Sequence, residues 1–269
     1  MKKTLYCISG LPRSGSTLLC NILAQNPKFH ATHTSACLEI LFNIRNCWDQ
    51  FIEHKAHPLN AERIECLRAV LDAYHFRVKK PVIFEKSRGW LAHLELLEHL
   101  LDQRPKVLVP VRDLRDVVAS FEKLWRAAKR AGRQLAVEAA NYLAFQRIED
   151  RVAIWLTGQQ PIGLVVNRVR DACLRGYRDC LHFVDYTDLT TTPETTMAQI
   201  YEFLGEPAFE HSFDCVEQVT IENDDVHGFG VPLHDIRPKV APQAPQYPQV
   251  LGAAAETIPL QDAFFWHHL

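Results

Sequence analysis

The sequence predicts an α/β fold: a mostly parallel central sheet flanked by helices, in a single domain spanning residues 1–269. Short apolar runs rich in β-formers alternate along the chain with longer amphipathic stretches of helical period. A loop bounded by Gly10 and Gly15 joins the first such run to the first helical stretch. The 269 residues are enough to bury a large core without disulfide or metal staples.

Thr4 to Ser9 (TLYCIS) reads as a buried strand, and Ser16 to Ala24 as a helix stopped by Asn26-Pro27. Residues 38–53 and 61–75 have helical spacing. In the second, Ile64, Leu67, Leu71 and Tyr74 share one face, and Asn60 stands where a helix cap is expected. Pro81 to Phe84 is a short strand, and Leu91, Leu94, Leu97 and Leu101 form the apolar stripe of a helix. Lys106 to Val111 (KVLVPV) is the next interior strand. Arg115 to Arg130 follows as a helix burying Val117, Val118, Phe121, Leu124 and Trp125. Residues 135–156 predict one long helix, with Val137, Ala144, Ile148, Val152 and Trp155 on one side. Leu181 to Tyr186 is a strand. The helix from Pro193 to Leu204 has Thr192 as its cap, proline at its first position and Gly205 just past its end. Prolines then punctuate the chain, so residues from about 228 to 269 read as an irregular extension of the same domain.

A net charge of −2 supplies no field to attract nucleic acid, so any anionic ligand must meet locally concentrated cations. No run reaches transmembrane length, and the N-terminus lacks the apolar stretch of a secretory leader. The eight cysteines include no C-x-x-C pair and no zinc spacing. Reduced thiols in a cytoplasmic protein are the expectation.

Gly10-Leu11-Pro12-Arg13-Ser14-Gly15-Ser16-Thr17 has the G-x-x-x-x-G spacing of a P-loop-type nucleotide-binding loop, between a strand and a helix. In such a loop successive backbone N–H groups point inward and a helix N-terminus follows, which favours an anion. The nucleoside-triphosphatase version carries lysine after the second glycine. Here Ser16 stands there, and the cation has moved to Arg13. No strand ends in an aspartate suited to magnesium, which disfavours metal-dependent triphosphate chemistry.

The stretch GLPRSGSTLL resembles the 5′-phosphosulfate loop of sulfotransferases that use 3′-phosphoadenosine 5′-phosphosulfate (PAPS). VRDLRDVVAS, residues 111–120, is similar to their 3′-phosphate segment, with Arg112 and Ser120 at the positions of its arginine and serine. The resemblance implies sulfuryl transfer from PAPS to an acceptor hydroxyl, with adenosine 3′,5′-bisphosphate as product and no metal. It implies cofactor contacts from Arg13, Ser14, Gly15, Ser16, Thr17, Arg112 and Ser120. Tyr186 begins a Tyr-x-x-Leu segment similar to that of protein-tyrosine sulfotransferases; contact with the cofactor and simple packing are both open for it. Arg237 and Lys239 stand where these enzymes bring late basic residues over the cofactor, and Lys86 follows the second predicted strand as their catalytic lysine does.

For the general base, His33 falls where the tyrosine-sulfating enzymes place a glutamate, with Glu39 and His30 in reserve. Cytosolic members use a histidine two residues after the strand lysine, but this chain has Arg88 there. The expected mechanism has His33 as base, with Lys86 and Arg13 neutralising developing charge. The acceptor is expected to be a small molecule or a glycan, its pocket drawing on Phe42, Trp48, Tyr74, Trp90 and Phe229. An ATP-dependent phosphotransferase and an inactive nucleotide-binding regulatory protein are the alternatives.

Overall fold

A computed structural model describes residues 3–269. Five strands form one sheet: β1 (Thr4–Ile8), β2 (Phe29–Thr34), β3 (Val82–Lys86), β4 (Val107–Val111) and β5 (Leu181–Asp185). They lie in the order β2-β3-β1-β4-β5, and every pairing is parallel. The chain leaves β1 toward one side of the sheet, then crosses to the other side for β4. That reversal opens a crevice at the carboxyl end of β1, where such sheets bind ligands. Ile8 pairs with Lys86 and Val111 with Asp185, so the strand ends form one edge.

Eight helices of two turns or more cover the sheet: α1 (Ser16–Leu23), α2 (Cys37–Gln50), α3 (Asn60–Tyr74), α4 (Leu94–Leu101), α5 (Leu114–Arg130), α6 (Ile148–Trp155), α7 (Pro161–Leu174) and α8 (Pro193–Leu204). Strand alternation sorts the core into two layers. Tyr6, Ile8, Val82 and Phe84 pack against Leu19 and Ile22 of α1 and Ile200 and Leu204 of α8. Leu5, Cys7, Ile83, Val107 and Val109 face the opposite side, against residues of α2 to α7. The proline-rich tail lies on this second layer through Leu251, Phe265 and Trp266, all buried. Among the described residues no helix is long and apolar enough to cross a membrane, and all eight cysteines are free.

Four expectations needed correction. The predicted 135–156 helix is broken into Ala136–Ala140, a 3-10 turn at Ala144–Gln146, and α6. Buried polar contacts hold the bends. Arg151 donates Nε and Nη2 to the Glu122 carboxylate at 2.9 and 2.8 Å, and Nη1 to the Phe145 carbonyl at 2.7 Å. Glu138, also buried, accepts from Trp125 Nε1 at 3.2 Å and from Lys129. Such pairing outweighs the small intrinsic preference for an unbroken helix. Second, Asn60 is the first residue of α3 rather than its cap; Leu59 occupies the cap position. Third, β2 was not expected, because FHATHT offers little apolar alternation and lies at the sheet edge. Fourth, α7 went unassigned, although Pro161 stands at its start. Thr192 and Gly205 do flank α8 as expected, with Gly205 at φ 73°.

Candidate active site

The glycine-bounded loop sits at the carboxyl end of β1. Gly10 packs so closely on β4 that a Cβ there would lie 2.3 Å from the Pro110 carbonyl. Ser14 is buried and donates its hydroxyl to the carbonyls of Leu11 (2.6 Å) and Pro110 (3.0 Å), so its side chain braces the loop from behind. Arg13 (φ 60°) and Gly15 (φ 83°) adopt left-handed backbone that turns the chain into α1. The backbone N–H groups from Arg13 to Thr17 donate to no acceptor among the described residues. Free N–H groups at a helix N-terminus suit an anion. A Cβ at Gly15 would lie 2.5 Å from Tyr186 Cδ2, in a conformation that disfavours side chains. Gly15→Ala is expected to lose about 1–2 kcal/mol of stability from backbone strain alone. A thermal melt that fell by less than about 1 °C would contradict this account.

Around the loop lies a cavity of about 600 Å³. The loop residues Arg13, Gly15, Ser16 and Thr17 line it with Lys86, Arg112, Ser120, Tyr186, Arg237 and Lys239. Arg13 Nε donates to Ser120 Oγ at 3.1 Å, and its Nη1 donates to the Leu233 carbonyl. Burial, and then the neighbouring Arg112 cation, lower the Arg13 pKa. Arg112 lies 4.6 Å above the Tyr186 ring and donates to Asp116 Oδ2 at 3.0 Å. Two guanidiniums thus lie close enough to repel, with Asp116 paired to Arg112 and Asp224 acting on Arg13, an arrangement that a polyanion relieves further. Arg237 holds Gln243, and Lys239 pairs with Asp214 at 2.8 Å near the surface.

Lys86, at the end of β3, is buried. Its Nζ donates to Thr17 Oγ1 at 3.3 Å and to Glu222 Oε1 at 3.2 Å. The same Glu222 oxygen accepts from Thr34 N (2.9 Å) and Thr34 Oγ1 (3.0 Å). Burial raises the Glu222 pKa, but Lys86, the Thr34 N–H and His234 together hold it below the usual carboxylate range. Glu222 Oε2 lies 3.6 Å from His234 Nδ1. That nitrogen is 2.5 Å from Asp224 Oδ1, while Asp224 Oδ2 accepts the backbone N–H groups of Leu233 (2.6 Å) and His234 (3.0 Å). Asp224 too is held below its ordinary range: burial opposes this, and His234 with the two backbone donors prevails.

His33 is not brought into this cluster. It lies exposed on the edge strand β2, donates Nδ1 to the Thr34 carbonyl at 2.8 Å, and does not line the cavity. Glu39 and His30 do not line it either. Glu222, Asp224 and His234 went unrecognised in the sequence because they sit in an aperiodic segment far from the loop. The acidic run IENDDVH was the signal available there. Of the expected acceptor aromatics only Phe229 lines the cavity. Trp90 is fully buried, Phe42 packs at a tilt against His93, and Trp48 stacks on His54.

The chain matches the profile of the sulfotransferase family over residues 7–211. No curated protein sequence matches it. Among solved structures, the sulfotransferase domain from the curacin biosynthetic pathway is similar with a TM-score of 0.54 at 16% identity, covering 96% of this chain and 90% of that one. A sulfotransferase from Alicyclobacillus acidocaldarius has a TM-score of 0.49 at 15% identity, covering 84% and 88%. A retinol dehydratase in complex with androsterone and the inactive cofactor PAP has a TM-score of 0.49 at 14% identity, covering 100% and 80%. The first of these shares the fold. The family profile runs from β1 through the loop, β3 and Arg112 to the end of α8, and so the chain belongs to the sulfotransferase family.

Proposed function

We propose that this chain moves a sulfuryl group from PAPS to the hydroxyl of a small-molecule or glycan acceptor, with His234 as general base. The observation that carries the cofactor reading is the shared cavity. The amide-lined loop and the Arg112–Ser120 pair open into one space, with the Arg13 guanidinium between them. PAPS, when bound, supplies an activated sulfuryl group on a phosphate leaving group, with a further phosphate at the 3′ position.

The protein's own groups divide the work. The N–H groups of residues 13–17 hold the 5′ end, and Arg112 and Ser120, joined by Arg13, hold the 3′-phosphate. Tyr186 props Arg112 from below, and Arg237 and Lys239 add positive charge from the roof of the cavity. Lys86 Nζ is kept in place by Thr17 and Glu222 and neutralises negative charge that grows on the leaving oxygen. Asp224 takes the His234 Nδ1 proton as a hydrogen bond, which leaves Nε2 free to accept the proton of the acceptor hydroxyl. Glu222 lies between Lys86 and His234 and sets their spacing. Eight unpaired cysteines fit a reducing, cytoplasmic setting.

Titration calorimetry tests the cofactor reading. Wild type is expected to bind adenosine 3′,5′-bisphosphate more tightly than adenosine 5′-phosphate. Arg112→Ala is expected to weaken the bisphosphate about 10–100-fold and the monophosphate little, as suits loss of one charged hydrogen-bonding group. Preference of the wild type for ATP with magnesium would instead favour phosphoryl transfer.

A further inference from the structure

In the core layer that Cys7 and Ile83 enter, three side chains converge without the partners their chemistry requires. Glu85 precedes Lys86 on β3, and strand alternation sends its side chain to the opposite face. It is fully buried, and neither carboxylate oxygen accepts a hydrogen bond among the described residues. His75 follows the last residue of α3. Its Nε2 lies 3.1 Å from Glu85 Oε2 but out of line for a hydrogen bond, so this buried nitrogen also lacks a partner. The Sγ of Cys37, the first residue of α2, closes the group. Sulfur, ring nitrogen and carboxylate oxygen all lie within 4.8 Å of one another, and all three residues are buried.

A carboxylate left without donors in an apolar interior is costly, and removing its charge or adding a cation relieves it. A proton shared between His75 and Glu85 would satisfy one oxygen and the ring nitrogen. It would leave the second oxygen unpaired and give the thiol no role. A small divalent cation satisfies all three groups at once. Bonds of about 2.0–2.3 Å in a tetrahedral shell separate the ligand atoms by roughly 3.3–3.8 Å, so a modest contraction of the present spacing suffices.

We infer that Cys37, His75 and Glu85 form a buried structural site for one divalent transition-metal ion, with zinc favoured by the sulfur, nitrogen and oxygen donor set. Binding exchanges the Cys37 thiol proton for the metal bond, and the proton leaves to solvent. Cys7 is the register partner of Glu85 on β1 and is buried in the same layer. The Lys3 ammonium donates to the His75 carbonyl at 2.6 Å and fixes the backbone there. The ion would tie β3, the start of α2 and the end of α3 together, one residue from Lys86, whose side chain alternates to the other face and lines the cavity.

Full-length protein expressed with added zinc and then desalted is expected to hold about one zinc per chain by mass spectrometry of the metal. Cys37→Ser and Glu85→Gln, prepared alongside, are expected to hold less than about a fifth of that. Reloaded with cobalt(II), the wild type is expected to show a thiolate-to-cobalt charge-transfer band in the near ultraviolet that Cys37→Ser lacks. Wild-type protein with neither bound zinc nor that band would overturn the site, whether or not the variants fold. Full zinc occupancy in both folded variants would overturn it as well. None of these measurements uses sulfuryl transfer, so the inference and the proposed function stand or fall separately.

Discussion

Lys86→Ala is expected to lower kcat at least ~100-fold while changing the affinity for adenosine 3′,5′-bisphosphate less than about threefold. The asymmetry follows from where the ammonium sits. It is held between Thr17 at the loop's end and the Glu222 carboxylate, whereas the proposed reading gives the other phosphate to Arg112 and Ser120. Charge grows on the bridging oxygen only as the sulfur–oxygen bond breaks, so the bisphosphate product does not report the full interaction. Loss of the amine also leaves the half-buried Glu222 carboxylate beside Thr34 with less to balance it, and a lower melting temperature should accompany the kinetic loss. Steady-state assays with radiolabelled PAPS, on an acceptor found among phenols, sugars and hydroxylated lipids, measure kcat. Calorimetry supplies the affinity. A variant with near-normal turnover would remove Lys86 from the mechanism.

His234→Ala is expected to cost between about 10² and 10⁴ in kcat, the usual range for a positioned general base. His33→Ala should stay close to wild type. Asp224→Asn provides the finer probe. An amide at that position preserves the shape of the carboxylate but can present a donor to Nδ1, which disturbs the tautomer with Nε2 free. Its kcat is expected to fall less than in His234→Ala, with little change in KM for PAPS. Because Asp224 also accepts the N–H groups of Leu233 and His234, asparagine is a better choice than alanine for keeping that loop intact. If His33→Ala proved the more damaging substitution, the base assignment would revert to the edge strand.

Parts of this site were legible because they are local. The loop, its strand and its helix lie within about twenty residues, and Arg112 and Ser120 stand one helical stretch apart at the end of β4. Backbone geometry alone puts such groups at the carboxyl edge of a parallel sheet. Lys86 was legible for the same reason. Glu222, Asp224 and His234 were not, since their meaning comes from contacts across the chain. Lys86 and Glu222 are 136 residues apart, and the segment that carries Glu222 has no period to read. His33 was misplaced because resemblance fixed its sequence position while the unforeseen strand β2 decided its direction. The 135–156 stretch failed in a related way: its apolar spacing is helical, but buried Arg151, Glu122 and Glu138 impose bends that no local pattern encodes.

The roof of the cavity reaches back to the very start of the fold. Leu233 meets Arg13 over a separation of 220 residues, and Asp116 accepts the N–H groups of Gln246 and Tyr247 from 130 and 131 residues away. Closing loops of that length is entropically slow compared with forming nearby helices. A refolding chain should therefore recover its circular dichroism before its enzymatic competence, and the interval between the two would measure how late the two ends of the polypeptide meet.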